Sequence, residues 1–184
     1  MKVIPTALPD VLIIEPRVFG DSRGFFLETF QAERYAAVGI GGPFVQDNLS
    51  RSARGTIRGL HFQEPRAQGK LVQVLQGMVW DVALDVRRSS PHFGSWVGVE
   101  LSEENRRQLW IPPGFAHGFC VLSEAADFFY KCTDFYVPDF ERTVRWDDPA
   151  LGIRWPIFQS PLISEKDRAA LALANVKDLP FYKS

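Results

Sequence analysis

The feature that most constrains this chain is its run of short apolar or alternating segments, cut every few residues by Gly, Pro, Asn or Asp, from Val11 to about Trp146. Segments of this kind read as β-strands, and their close spacing is the pattern of an all-β sandwich or barrel. KLVQVLQGMVWDVALDV is the clearest case. Two runs meet at Gly77, and in the second Met78, Trp80, Val82, Leu84 and Val86 alternate with Val79, Asp81, Ala83 and Asp85, which predicts a half-buried strand pair. FFLETF, GSWVGVEL, RQLWI, HGFCVLS and DFFYKCTDFY predict further strands. So many strands create exposed edges, and a double-sheet jelly roll or closed barrel removes them. Helical periodicity is confined to QAERYAAV, ended by Gly39, and SEKDRAALALANV, with Ser164 placed as N-cap. With 184 residues and no linker, repeat or low-complexity stretch, one domain spanning 1–184 is expected.

Composition excludes some functions. With 21 basic and 22 acidic side chains scattered along the chain, the net charge is -1, so no general attraction to nucleic acid or anionic membrane is expected. The opening MKVIPTALPDVLIIEPRVFG carries acids and prolines through its short apolar patch, which fits neither a signal peptide nor a spanning helix. A cytoplasmic protein is expected. Cys120 and Cys132 lie in apolar runs with no C-x-x-C spacing, and are expected to be buried free thiols.

Three histidines are available for chemistry. His92, after Pro91 in SSPHFGS, reads as a loop residue. His117 follows a tight turn in WIPPGFAHGF, and the spacing P-x-G-x-x-H from Pro112 through Gly114 resembles the second motif of the cupin superfamily. Many cupins hold a metal with an H-x-H pair, a later Glu and this histidine. Here the pair position reads His61, Phe62, Gln63, so no metal is expected. Without one, His61, with a reference pKa of about 6.5, is suited to proton abstraction. The resulting anion needs a positive charge, and Lys70 in QGKLVQV stands at a strand start, where a solvent-exposed end is the plain alternative.

A donor that is neutral at pH 7 yet ionisable describes a tyrosine. In FFYKCTDFY a two-residue period puts Phe128, Tyr130, Cys132, Asp134 and Tyr136 on one face, so that Tyr130 and Tyr136 line one wall; packing with a rim hydroxyl is an equal reading. Asp167, three residues after Ser164, has the place of a helix-capping acid. In a regular strand Arg58 and His61 face opposite ways, but Gly59 permits a bulge that re-aims one of them. Arg23 and Glu28 stand in the same relation, with Gly24 as the break.

DSRGFFLETF, FVQDNLSRS, RGLHFQ, QGKLVQVLQG, DVALDVRRSSPHFG, IPPGFAHGF, YKCTDFY and LISEKD together resemble, in order and spacing, the dTDP-4-dehydrorhamnose 3,5-epimerase family of metal-free, cupin-like enzymes. The resemblance spans nearly the whole chain and implies epimerisation of dTDP-4-dehydro-6-deoxy-D-glucose at C-3 and C-5, with no redox cofactor and in a homodimer. It implies His61 as general base, Asp167 as its carboxylate partner, Lys70 beside the substrate's C-4 oxygen and Tyr130 as general acid. It further implies that Arg58 contacts the diphosphate, that Tyr136 stacks on thymine, and that Arg23, Glu28, Gln46, Asp47, Asn48, His117, Glu141 and Lys166 bind substrate, some from a partner subunit. Two residues depart from the family's usual pattern: Phe62 stands where tyrosine is frequent and Cys132 where threonine is expected. A single-carbon epimerase, a non-catalytic sugar-nucleotide-binding cupin and, more weakly, a metal-dependent cupin oxygenase are the rival functions.

Overall fold

A computed structural model describes residues 1–157 and 160–182. The chain begins with β1 (Lys2–Pro5) and β2 (Leu12–Glu15), a hairpin of β3 (Val18–Asp21) and β4 (Gly24–Leu27), and α1 (Ala32–Ala36). The strands β5 (Gln46–Ala53), β6 (Ile57–Gln63), β7 (Lys70–Gln76), β8 (Met78–Asp85), β9 (Trp96–Ser102), β10 (Gln108–Ile111), β11 (Phe115–Val121), β12 (Ala125–Cys132) and β13 (Glu141–Thr143) follow, then α2 (Glu165–Arg168). One sheet runs β1-β2-β10-β7-β12-β5 and the other β13-β6-β11-β8-β9, with antiparallel pairing throughout. From β5 to β8 and again from β9 to β13 the chain changes sheet at each step. This is the expected double-sheet jelly roll.

That crossing corrects one expectation. β7 and β8 do not pair: they lie in opposite sheets, and Gly77 is the corner between them. Its φ of +82° is a conformation that favours glycine, and a Cβ there would stand 2.1 Å from the Ala125 carbonyl oxygen. β8 is also buried on both faces, not one. Val79 and Ala83 join Val72, Val74, Phe119 and Phe128 between the sheets, while Val82, Leu84 and Val86 pack outward against Val144, Leu173 and Leu179. On the other side of the molecule α1 covers the first sheet, with Tyr35 and Ile40 against Ile14, Leu71 and Trp110. Each fully buried aliphatic side chain contributes about 1.5–3 kcal/mol, so both outer layers matter.

Helix α1 forms where the sequence predicts it, with the Gln31 side chain accepting from the Arg34 N–H. The C-terminal segment does not form one long helix. After Ser164, which caps α2 by accepting from the Asp167 N–H, the helix stops at Arg168. Leu171 then bridges to Val144, its carbonyl accepting from the Arg145 N–H, and the Leu173 N–H donates to buried Asp148. These tertiary partners outweigh the helix propensity of an alanine-rich stretch. FFLETF likewise shortens to β4, and Arg23 sits in the turn between β3 and β4, where strand alternation does not apply.

The pairing of β6 with β11 places the site. His61 stands opposite His117 and Arg58 opposite Phe119, so Gly59 and Leu60 together face Gly118 alone. This is a bulge, and it reverses strand parity. His117 and Phe119 are two apart and share a face, so Arg58 and His61, three apart, share it too. Gly59 makes it possible: its φ is +135°, and an added Cβ would lie 2.5 Å from the Gly118 Cα and 2.9 Å from the His117 oxygen. Gly59→Ala should therefore lose about 2–4 kcal/mol in urea unfolding, strain and clash combined, against about 1 kcal/mol for Gly39→Ala, whose Cβ would meet open space. Equal losses would mean that the close approach is not what the glycine provides.

Candidate active site

Between the sheets, at the end opposite the apolar core, lies a cavity of about 370 Å³. The second sheet brings Arg58 and His61 on β6 and His117 on β11; the first brings Lys70 on β7, Tyr130 and Cys132 on β12, and Gln46 and Asn48 on β5. Tyr136, Glu141 and Lys166 line the same space. Eight of the residues named for binding or catalysis from sequence therefore line one cavity besides Lys70 and Tyr130, and Asp167 touches it through His61.

The His61 Nε2 is 2.6 Å from Asp167 Oδ1. An ionised carboxylate only accepts, so Nε2 donates and Nδ1 keeps its lone pair. Asp167 is 3% exposed; burial would raise its pKa, but the hydrogen bond and charge of His61, the Ser164 cap and Lys166 outweigh it and hold the carboxyl below its usual range. Asp167 thus closes the cap of α2 through its backbone and serves His61 through its side chain. The position that reads as a capping acid does both.

Lys70 lies well inside, and burial lowers its pKa, opposed by Cys132, Glu141 and Asp81. It is not an exposed strand end. Among the described residues no carboxylate forms an ion pair with it, so its charge remains available to a ligand. Burial, with Cys132, Glu141 and Tyr136 adding and Arg58 opposing, pushes the Tyr130 phenol up to about 12, which keeps it protonated at neutral pH. His61 and Tyr130 come from facing sheets. A molecule bound between them would meet a base on one side and a proton donor on the other.

At the mouth, the Tyr136 hydroxyl donates to Glu141 Oε2 at 3.1 Å and the Lys166 ammonium reaches the same oxygen at 2.8 Å. Burial would raise the Glu141 carboxyl, yet Lys166, His61 and Tyr136 keep it below its usual value. Tyr136 does not continue the face of Tyr130 as the two-residue period predicts, because β12 ends at Cys132. The following loop carries Tyr136 to the same wall. Gln63, at the second position of the H-x-H pattern, holds that loop: its Nε2 donates to the carbonyls of Arg66 and Phe135, and its Oε1 accepts from the Val137 N–H. Among the described residues no cluster of three or more His, Cys, Asp or Glu is placed to hold a metal ion.

Three sequence-named residues stand apart from the cavity. Asp47 pairs with Lys131, Glu28 with Arg34, and Arg23 with Asp21 at the tip of the β3–β4 hairpin. Conversely, sequence reasoning missed Asp81. Its Oδ2 accepts from His117 Nε2 at 2.9 Å, its Oδ1 has no partner among the described residues, and the residue is wholly buried. The signal was present in MVWDVALD, where a carboxylate on the Val79–Ala83 face requires a polar partner across the core. Cys120 and Cys132 are buried and free, as expected.

A jelly roll that holds an imidazole–carboxylate pair, an ammonium and a phenol around one cavity defines an acid–base isomerase of the cupin type. A family profile described as dTDP-4-dehydrorhamnose 3,5-epimerase matches residues 5–175, and this chain belongs to that family. It is 57% identical over 181 residues to the dTDP-4-dehydrorhamnose 3,5-epimerase of Pseudomonas aeruginosa, covering 98% of this chain and 100% of the relative. The crystal structure of a dTDP-6-deoxy-D-glucose-3,5-epimerase from Legionella pneumophila, in complex with dTDP-4-keto-L-rhamnose, superposes with a TM-score of 0.98 at 54% identity, covering 100% of this chain and 99% of that one. A dTDP-4-dehydrorhamnose 3-epimerase from Streptomyces niveus is 39% identical over 188 residues, covering 99% of this chain and 90% of the relative.

The depressed Asp167 carboxyl fixes the sign of a pH effect. A carboxylate with a lower pKa folded than unfolded contributes stability that is complete above the unfolded value of about 3.9 and is lost as pH falls through the folded one. Wild type should exceed Asp167→Asn in urea-unfolding stability at about pH 6, and the gap should close as pH drops below about 4. A gap that does not change with pH would mean that Asp167 acts by packing alone.

Proposed function

We propose that this chain epimerises dTDP-4-dehydro-6-deoxy-D-glucose at C-5 and C-3, giving dTDP-4-dehydro-L-rhamnose for dTDP-L-rhamnose synthesis. The observation that carries this reading is the projection of His61 and Tyr130 into one cavity from opposite sheets. His61 removes a proton from a carbon beside the C-4 ketone, and Asp167 stabilises the imidazolium that forms. The electrons move onto the C-4 oxygen, where Lys70 meets the enolate. Tyr130 then returns a proton to the opposite ring face, which inverts the carbon. Both C-3 and C-5 flank the same ketone, so one lysine assists both inversions. A proton lost and regained leaves the oxidation state unchanged, so the chemistry calls for no redox cofactor.

Arg58 is suited to the diphosphate, with its fork of donors, and Tyr136 to stacking on thymine. Gln46, Asn48, His117, Glu141 and Lys166 complete the nucleotide-sugar contacts. Arg23 and Glu28 belong in this reading to the partner of a homodimer, and Asp47 to the rim. The β3–β4 hairpin supports the dimer: Phe19 is 50%, Phe25 60% and Phe26 69% exposed, an apolar edge that a second copy would cover. The cytoplasm suits the enzyme, since two free thiols fit a reducing compartment.

Nuclear magnetic resonance of the substrate in deuterium oxide tests the chemistry. Label should enter at C-3 and C-5; label at one carbon would select the single-carbon epimerase, and tight binding with no exchange would select the non-catalytic cupin. His61→Ala should abolish exchange, whereas Tyr130→Phe should retain part of it while losing inversion. Full activity in the His61 variant would remove it as the base. For the assembly, light scattering should give twice the chain mass, and a Phe25→Glu/Phe26→Glu variant should fall to one; a monomeric wild type would overturn the shared site.

A further inference from the structure

We propose that Cys132 is a positioning residue for Lys70, the last member of a hydrogen-bond relay that runs from the backbone beside the nucleotide-facing Tyr136 and ends on the thiol neighbouring the ammonium at the reacting end of the cavity. The inference rests on the epimerase reading above and assigns a task to a residue that this reading leaves idle. Three bonds make the relay. The Tyr136 N–H donates to Gln46 Oε1 at 2.9 Å, Gln46 Nε2 donates to Asn48 Oδ1 at 3.0 Å, and Asn48 Nδ2 donates to Cys132 Sγ at 3.7 Å. All run in one direction, so each amide's orientation is fixed by the one before it.

The sulfur ends the relay next to Lys70. Cys132 and Lys70 are direct partners across β12 and β7, and both line the cavity. Opposed residues in an antiparallel pair have Cβ atoms about 4.5–5.5 Å apart, so the thiol and the lysine stem are neighbours. The pairing is pinned immediately beside them, where the Thr133 N–H donates to the Gly69 carbonyl at 2.9 Å and the Gly69 N–H to Thr133 Oγ1 at 2.8 Å. Across β12 the Cys132 carbonyl accepts from the Val45 N–H. The residue cannot drift in register without breaking these bonds.

An ammonium only donates, so whatever steadies it must accept. A carboxylate at position 132 would do this while neutralising the charge that the enolate needs. A thiol accepts weakly and carries no charge at neutral pH, burial having raised the Cys132 pKa above its ordinary value. It therefore orients Lys70 and leaves its charge for the substrate. The relay also ties that orientation to the loop carrying Tyr136, linking the nucleotide end of the cavity to the chemical end.

Steady-state kinetics with dTDP-4-dehydro-6-deoxy-D-glucose on wild type, Cys132→Val, Cys132→Ser and Cys132→Thr test this. Cys132→Val removes the acceptor and matches Cys132→Thr in shape, so kcat should fall about tenfold while KM stays within about twofold, the loss of the buried bond from Asn48 and of the acceptor beside Lys70. Cys132→Thr and Cys132→Ser restore an acceptor and should recover kcat to within about threefold of wild type. Wild-type kcat in Cys132→Val, or equal losses in the Val, Ser and Thr variants, would overturn the proposal, since the site would then matter only for packing or not at all. Thermal denaturation of each variant separates misfolding from misplacement. An inactive wild type would sink the epimerase reading itself, which is a different result from an active wild type matched by Cys132→Val.

Discussion

The catalytic half of this molecule depends on two backbones that meet without side chains. Gly59 on β6 and Gly118 on β11 approach so closely that a Cβ on Gly118 would lie 2.7 Å from the Arg58 oxygen. The bulge this permits brings Arg58 and His61 to one face, and with them the groups read as phosphate-binding and basic. A regular strand would have sent Arg58 outward into the apolar layer of Leu60, Phe62 and Val144, where a guanidinium would be costly to bury.

The two sheets divide their facing surfaces between stability and chemistry. One end of the interior is closed by aliphatic and aromatic side chains from both sheets; the other holds Asp81, Lys70, His117 and His61. Burying these groups opposes folding unless each finds a partner. Asp167 and Asp81 find imidazoles, and Lys70 stands without an ionic partner among the described residues. The apolar layers outside each sheet supply the stability that lets this end stay polar. The aromatic stack of Phe119 on Phe128, with ring centroids 4.1 Å apart, forms the boundary between the two ends.

Much of this is legible in the chain. Short alternating runs give most strands, and the residues His61, Lys70, Tyr130 and Asp167, scattered over more than a hundred positions, converge as the resemblance implies. The misses share a cause. Gly77 reads as a hairpin but is a sheet-to-sheet corner, SEKDRAALALANV reads as one helix but breaks after Arg168, where Leu171 bridges to Val144 and the Leu173 N–H donates to Asp148, and Asp81 is lost in an apolar strand. In each case the deciding partner is distant in sequence, and local periodicity carries no record of it.

What the sequence alone determines is therefore the inventory: an all-β chain, an imidazole, a phenol, an ammonium and a carboxylate in a recognisable order, and glycines where a strand must bend. Tertiary structure decides which face each of these takes. Arg58 joins His61 only because β6 bulges against β11, Tyr136 joins Tyr130 only because a loop held by Gln63 turns back, and Asp167 becomes a partner of His61 only when α2 docks on β6. Side-chain direction in a sheet has a period of two and is reset by every bulge and corner, so it is fixed by strands pairing across the fold, not by the residues beside it.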